Sequence, residues 1–223
     1  FITLFNICEL ARRKNIKKII FSSSREVYGN SNRIIHNENE SYVKHCESPY
    51  TASKIAGEAL LHSYKQCYGI ENIILRFSNV FGKYDYSDRV IPQFILGSLK
   101  NENITIYGKD KLFDFTYIDD TVSGIIKSIK NFEKAKDEVY NIATGIGYSL
   151  DEIAQYIFQL TNSSSEKIYK GNRTGEVVRF IADITKARTI LGYNPQYDII
   201  TGLKKAVGWY KPRIKEFNKY NLS

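Results

Sequence analysis

A tyrosine and a lysine four residues apart, Tyr50 and Lys54 in Ser48-Pro49-Tyr50-Thr51-Ala52-Ser53-Lys54, form a ready acid–base device. On a helix, positions i and i+4 share one face, so the lysine ammonium lies beside the tyrosine. A cation next to a phenol favours its ionised form, and such a phenol takes the proton of an alcohol near neutral pH. Ser24, closing Phe21-Ser22-Ser23-Ser24, is a hydroxyl donor available to hold the same substrate oxygen. The spacing alone is weak. With 17 Tyr and 32 Lys plus Arg it recurs by chance, and most such pairs are solvated helix faces.

The surrounding elements give the pair a position. Ile16 to Ser24 starts basic, passes through Ile19, Ile20 and Phe21, and ends in small hydroxyls. That is the pattern of a buried parallel strand running into a loop. Ligands of α/β sheets lie at the carboxyl ends of strands, where Ser24 falls. Strand and helix signals alternate along the chain and predict an α/β fold. The expected order begins with helix 2–13, strand 17–23, a polar loop 29–47 long enough to carry function, and helix 50–68 closed by Gly69. It continues with strand 73–80, helix 90–100 begun near Pro92, strand 104–107, helix 119–132, and strand 138–142. Helix 149–160 opens on a Ser149–Glu152 capping box, and Pro212 is expected to kink or break a helical tail over 201–218.

Composition narrows the function classes. A chain of 223 residues, 43 % hydrophobic, suits one large domain or two small ones. No apolar run nears the roughly 20 residues of a membrane span and no signal peptide is visible, so a cytoplasmic protein without a membrane partner is expected. Cys8, Cys46 and Cys67 lack metal or disulfide spacing and read as reduced thiols. His36, His45 and His62 form no ligand pair, so no metal is expected. The net charge of +8 raises the question of nucleic acid. Its densest run, Arg12-Arg13-Lys14 with Lys17-Lys18, reads instead as a solvated edge. A diphosphate-bearing small substrate accounts for inward-facing basic residues, and no nucleic-acid partner is expected.

Six blocks in order resemble one family. Ser22-Ser23-Ser24-Arg25-Glu26-Val27-Tyr28-Gly29 and Ser48 to Glu58 resemble the extended short-chain dehydrogenase/reductases. More narrowly they resemble the NAD-dependent nucleotide-sugar epimerase/dehydratases, with UDP-galactose and UDP-glucuronate 4-epimerases as the nearest pattern. Leu75-Arg76-Phe77-Ser78-Asn79-Val80-Phe81-Gly82 looks like the strand after the catalytic helix, and Asp114-Phe115-Thr116-Tyr117-Ile118-Asp119-Asp120 like the family's Asp-Phe turn. Tyr140 to Gly145 and Arg173-Thr174-Gly175-Glu176 complete the match. The resemblance implies the later part of a Rossmann-type doubly wound parallel sheet plus a smaller C-terminal substrate-binding α/β region. Residues 1–82, with 117–143 returning, would belong to the NAD-binding part, and 83–116 with 144–223 to the nucleotide-sugar region. The family's Gly-rich phosphate turn is not in this sequence, which contains no methionine. A longer protein with that turn upstream of Phe1, a homodimer when complete, is therefore expected.

The resemblance also implies roles. Tyr50 is the base, Lys54 its activator and ribose contact, and Ser24 the hydrogen-bonding hydroxyl; Glu26 is a further catalytic candidate whose bland reading is an acid paired with Arg25. Ser22 and Phe77 join Tyr50 and Lys54 as contacts of NAD. Asn79, Arg89, Val90, Phe94, Ile106 and Tyr107 are expected along the nucleotide sugar, although an apolar residue such as Phe94 equally suits the core. Arg173 and Glu176 match a motif in which the arginine grips the pyrophosphate and the acid contacts a ribose. Two departures stand out. Related 4,6-dehydratases carry an acidic residue where this chain has Arg25, a poor general acid. Relatives carry arginine where it has Phe113, leaving Lys111 or Arg89 to supply the charge. The expected function is 4-epimerisation of a UDP-sugar through a transient 4-keto sugar, with NAD as cofactor. The alternatives are a dehydratase or decarboxylase of the same family, or a nucleotide-sugar-binding fragment without catalysis.

Overall fold

The computed structural model describes residues 1–31, 33–40 and 43–217. In chain order its first elements are α1 (Ile2–Arg13), β1 (Lys18–Ser24), β2 (Ile35–His36), α2 (Pro49–Tyr68), β3 (Glu71–Phe77), β4 (Asn79–Phe81) and α3 (Val90–Leu99). Next come β5 (Ile104–Tyr107), β6 (Leu112–Tyr117), α4 (Ile118–Lys130), α5 (Phe132–Ala135), β7 (Glu138–Ile142) and β8 (Gly147–Ser149). The order closes with α6 (Leu150–Thr161), β9 (Lys167–Lys170), β10 (Arg179–Ala182), α7 (Ile199–Tyr210) and α8 (Ile214–Phe217).

Parallel strands β1, β3 and β7 form one sheet with β3 in the centre. Its registers pair Ser24 with Phe77 and Phe77 with Ile142, so three carboxyl ends finish level. The central strand is buried almost throughout, as strands covered on both faces are. Helices α1 and α2 cover one face through Cys8, Ala11, Leu61, Tyr64 and Ile74. Phe132 and Ala135 of α5 pack with Ile73, Leu75 and Tyr140 in a separate cluster. A second sheet runs β2-β10-β6-β4 with β8 antiparallel on β6, and β5 pairs with β9 by itself. The largest core joins these strands to α3, α6 and α7.

Local chemistry fixes α2. The Ser48 side chain accepts from the Thr51 N–H, Pro49 occupies the first turn, and Gly69 closes the helix at φ 64°. At Gly57 an added Cβ would stand 2.8 Å from Phe21 Cζ, so the helix lies on β1 closer than a side chain there would permit.

The expected pattern held for most elements, with informative departures. Strand 73–80 is two strands, because the chain leaves the first sheet at Phe77 and enters the second at Asn79. The run 114–120, expected as a turn, is the end of β6 and the start of α4. Short strands β2, β8, β9 and β10 were not anticipated; with two to four residues each they carry little period-two signal. The expected loop 29–47 holds β2 and a turn of 3₁₀ helix at Val43–His45. Ser149 and Glu152 form the capping box, and α7 gives way to a 3₁₀ turn containing Pro212. Residue 218 of the expected tail lies outside the described residues, as do 32, 41 and 42 of the loop.

Candidate active site

The levelled strand ends and the N-terminal part of α2 open onto a cleft of about 1270 Å³. Tyr50, in the first turn of α2, is about half exposed, and Lys54 lies one turn on. The Lys54 ammonium stands 5.5 Å from the Tyr50 ring centroid and donates to the Ser22 carbonyl oxygen at 2.8 Å. That bond ties the helix to the end of β1 and aligns the lysine with the tyrosine, as the spacing predicts. Ser24 is buried beside them and its Oγ accepts from the Glu26 N–H at 3.2 Å. It therefore caps the 3₁₀ turn Arg25–Tyr28, while its own hydroxyl hydrogen stays available. Gly29 ends that turn at φ 59°, where an added Cβ would meet the His45 carbonyl oxygen at 1.9 Å. Only glycine fits between the two loop segments.

Next to Tyr50 and Lys54 on α2 lies a buried polar network that was not anticipated from the sequence. Arg76 donates from Nε and Nη2 to the two Glu58 carboxylate oxygens at 3.0 and 2.7 Å, and from Nη1 to the Glu38 carbonyl at 2.9 Å. Ser23 Oγ donates to the same carboxylate at 2.5 Å. Burial alone would pull the Arg76 pKa down, but the forked bond to Glu58 holds it above its ordinary value. Glu58 lies four residues beyond Lys54, on the same helix face. The network pins α2 to β1 and β3 directly below Ser22 and Ser24.

Arg25 is held on three sides. Its Nε donates to Asn79 Oδ1 at 3.1 Å, its Nη2 lies 2.8 Å from Glu26 Oε1, and its guanidinium carbon sits 4.7 Å over the Phe113 ring. Asn79 in turn donates to the Asp114 carbonyl at 3.1 Å, so both ends of its amide are engaged within the protein. Burial pushes the Arg25 pKa down, against the opposing pull of Glu26. Glu26, which also lines the cleft, is the carboxylate partner of Arg25.

The opposite wall carries the other predicted residues. Arg173 stacks on Tyr107 at 3.8 Å, and its hydrogen bond, helped by nearby Lys170, lowers the Tyr107 pKa. Lys111 is buried and ion-paired to Glu176, which also faces Arg173 at 3.8 Å. Of the two candidates to replace a cation at Phe113, Lys111 is therefore already neutralised by Glu176. Arg89 precedes α3, with Val90 and Phe94 on the helix itself, and all three line the cleft, Phe94 also belonging to the core. Ser22, Glu26, Phe77 and Asn79 line it as well. Ile106 does not: it is buried in the core, while Thr105 and Tyr107 of β5 are half-buried and line the cleft, as does Ile104 at the start of the strand.

Asp114 and Asp120 of the Asp-Phe run serve the scaffold. Asp114 accepts from the Thr144 N–H and Oγ1 and from the Gly145 N–H at 3.0, 2.7 and 2.7 Å, while full burial pushes its pKa up. Asp120 accepts from the Gln196 and Tyr197 N–H groups at 2.8 and 3.0 Å.

Residues 1–143 match the family model described as "NAD dependent epimerase/dehydratase family". The chain belongs to this family. Among curated relatives, a UDP-glucuronate 4-epimerase of Thermodesulfobacterium geofontis is 30 % identical over 94 % of the chain and 64 % of its own length. A human dTDP-D-glucose 4,6-dehydratase is 32 % identical over 90 % of the chain and 58 % of its own length. Among solved structures, a Bacillus cereus UDP-glucuronic acid 4-epimerase in complex with UDP-glucuronic acid and NAD superposes with TM-score 0.88. It is 28 % identical, over 96 % of this chain and 67 % of that one. The family is NAD-dependent and its members share the Rossmann-like α/β fold described above. The chain spans about two thirds of the length of the first of these relatives.

Proposed function

We propose that this chain carries the proton-transfer and substrate-holding machinery of an NAD-dependent UDP-sugar 4-epimerase. One observation carries the reading: Tyr50 and Lys54 stand beside Ser24 at the level strand ends, facing a single cleft. The local chemistry suits the nicotinamide end of NAD. Lys54 has two N–H donors beyond the one spent on Ser22, and Phe77 offers a half-buried ring at the end of β3. NAD, when bound, supplies the hydride chemistry.

The chain's own residues supply the rest. Tyr50 takes the proton of the sugar 4-hydroxyl and returns it, and Ser24 Oγ–H holds the same oxygen. Lys54 keeps a positive charge beside the phenolic ring and contacts the cofactor's ribose. Arg173, with Tyr107, binds the diphosphate end, and Glu176 and Arg89 complete that wall. Glu26 is engaged by Arg25, and a guanidinium is a poor general acid, which weighs against a dehydratase. Residues 1–82 with 117–143 form the cofactor side in this reading, and 83–116 with 144–223 the nucleotide-sugar side. Exposed Phe5, Ile7 and Leu10 on α1 support a homodimer contact there, and a cytoplasmic location completes the reading.

The test is Tyr50→Phe in the intact protein. Turnover of UDP-sugars should fall by about 10²- to 10⁴-fold with bound NAD nearly unchanged, and unchanged turnover would remove Tyr50 from its role. Release of a stable 4-keto-6-deoxy sugar by the wild type would replace epimerisation with dehydration.

A further inference from the structure

Arg25 has one nitrogen more than the protein uses. Nε is taken by Asn79, Nη2 by Glu26 and the face by Phe113. Nη1 is buried and has no hydrogen-bond partner. A guanidinium stays charged even where burial lowers its pKa, so its free N–H groups carry a desolvation cost until something accepts from them. Arg25 lines the cleft directly after Ser24, and Tyr50 lies within its electrostatic reach. Its side chain therefore borders the cleft within electrostatic reach of Tyr50 on one side and of Glu176 and Arg89 on the other.

The charges facing Arg25 decide what it accepts. Glu26 is its only ion-pair partner among the described residues. Glu176 also faces it but is occupied by Lys111 and Arg173, and Arg89 adds a second positive charge. The end of the cleft beside Tyr50 thus holds more cation than its own carboxylates balance. A hydroxyl would satisfy the hydrogen bond and leave the charge; a carboxylate satisfies both.

We propose that Arg25 is a specificity-determining residue whose free Nη1 binds a carboxylate on the sugar, so that the substrate is a nucleotide uronate rather than a neutral nucleotide hexose. This rests on the reading of the cleft as a nucleotide-sugar site.

The test is calorimetric titration of the intact, NAD-loaded protein with UDP-glucuronate and UDP-glucose. Wild type should bind the uronate at least about tenfold tighter. Arg25→Gln should bring the ratio of the two affinities to near one, and Arg25→Lys should restore part of it. Equal binding by wild type, or preference for UDP-glucose, overturns the inference and leaves the nucleotide-sugar reading standing. Binding of neither overturns both. A ratio unchanged by Arg25→Gln, with both affinities reduced, would place Arg25 on the diphosphate and also overturn it. The wild-type ratio needs no variant, so poor folding of Arg25→Gln does not shelter the proposal.

Discussion

Two arginines, Arg76 and Arg25, meet a glutamate within a few residues of the same strand ends, yet they are used differently. Arg76 is 3 % exposed and every nitrogen has a partner: two bonds to Glu58, one to the Glu38 carbonyl, and the Tyr28 ring beneath. Arg25, with a side chain 11 % exposed, spends two nitrogens and keeps one. The opposite directions of their pKa shifts follow, since the forked carboxylate over-compensates burial at Arg76 and a single contact does not at Arg25. A fully satisfied buried pair holds elements together. A pair left one acceptor short is poised for a ligand.

Breaking the satisfied pair should give the largest effect on stability. Arg76→Met leaves Glu58 buried and unpaired and should cost about 3–5 kcal/mol in urea unfolding, whereas Arg25→Met should cost about 1–2 kcal/mol. Equal losses would erase the distinction. A double-mutant cycle sharpens it: coupling between Arg76 and Glu58 should approach about 3 kcal/mol, and coupling between Arg25 and Glu26 should stay below about 1. Asn79→Ala, which frees Arg25 Nε, should cost about 1 kcal/mol of stability and reduce any preference for a uronate severalfold in calorimetry.

The smallest effect belongs to a carboxylate outside the cleft. Hydrogen bonds from Arg12 and Tyr64 hold the Glu9 pKa at about 2. A depressed carboxylate stabilises the fold above its unfolded pKa, near 4.5, and that contribution is lost as pH falls toward 2. Acid titration of Glu9→Gln followed by circular dichroism should lack this segment. The contrast with wild type should be slight, as exposed pairs contribute little.

What the sequence disclosed and what it hid follow one physical line. The placement of Tyr50, Lys54 and Ser24 was legible because helical spacing and a strand end are local properties; all three line one cleft, and Lys54 ties the helix to the end of β1 at the Ser22 carbonyl. Arg76 was illegible as a buried group. An arginine in a strand suggests an edge or solvent, and its partner Glu58 sits 18 residues earlier on another element. Strand β6 was hidden by Asp114, whose buried carboxylate breaks an apolar run and is satisfied by groups distant in sequence, Thr144 30 residues later and the Ala182 backbone among them. That Ile106 points into the core was not legible either, because choosing a face of β5 needs the register, which four residues do not reveal.

The bare α-carbon of Gly57 has a mechanical consequence. It seats α2 against Phe21 with no side-chain atom between them, and Tyr50 stands seven residues up the same rigid rod, about 10 Å away. Any wedge at that fulcrum swings the phenol, and a displacement on the order of 1 Å is enough to slow a reaction about a hundredfold. The tolerance of the proposed proton transfer is thus set at a position that carries no functional group at all.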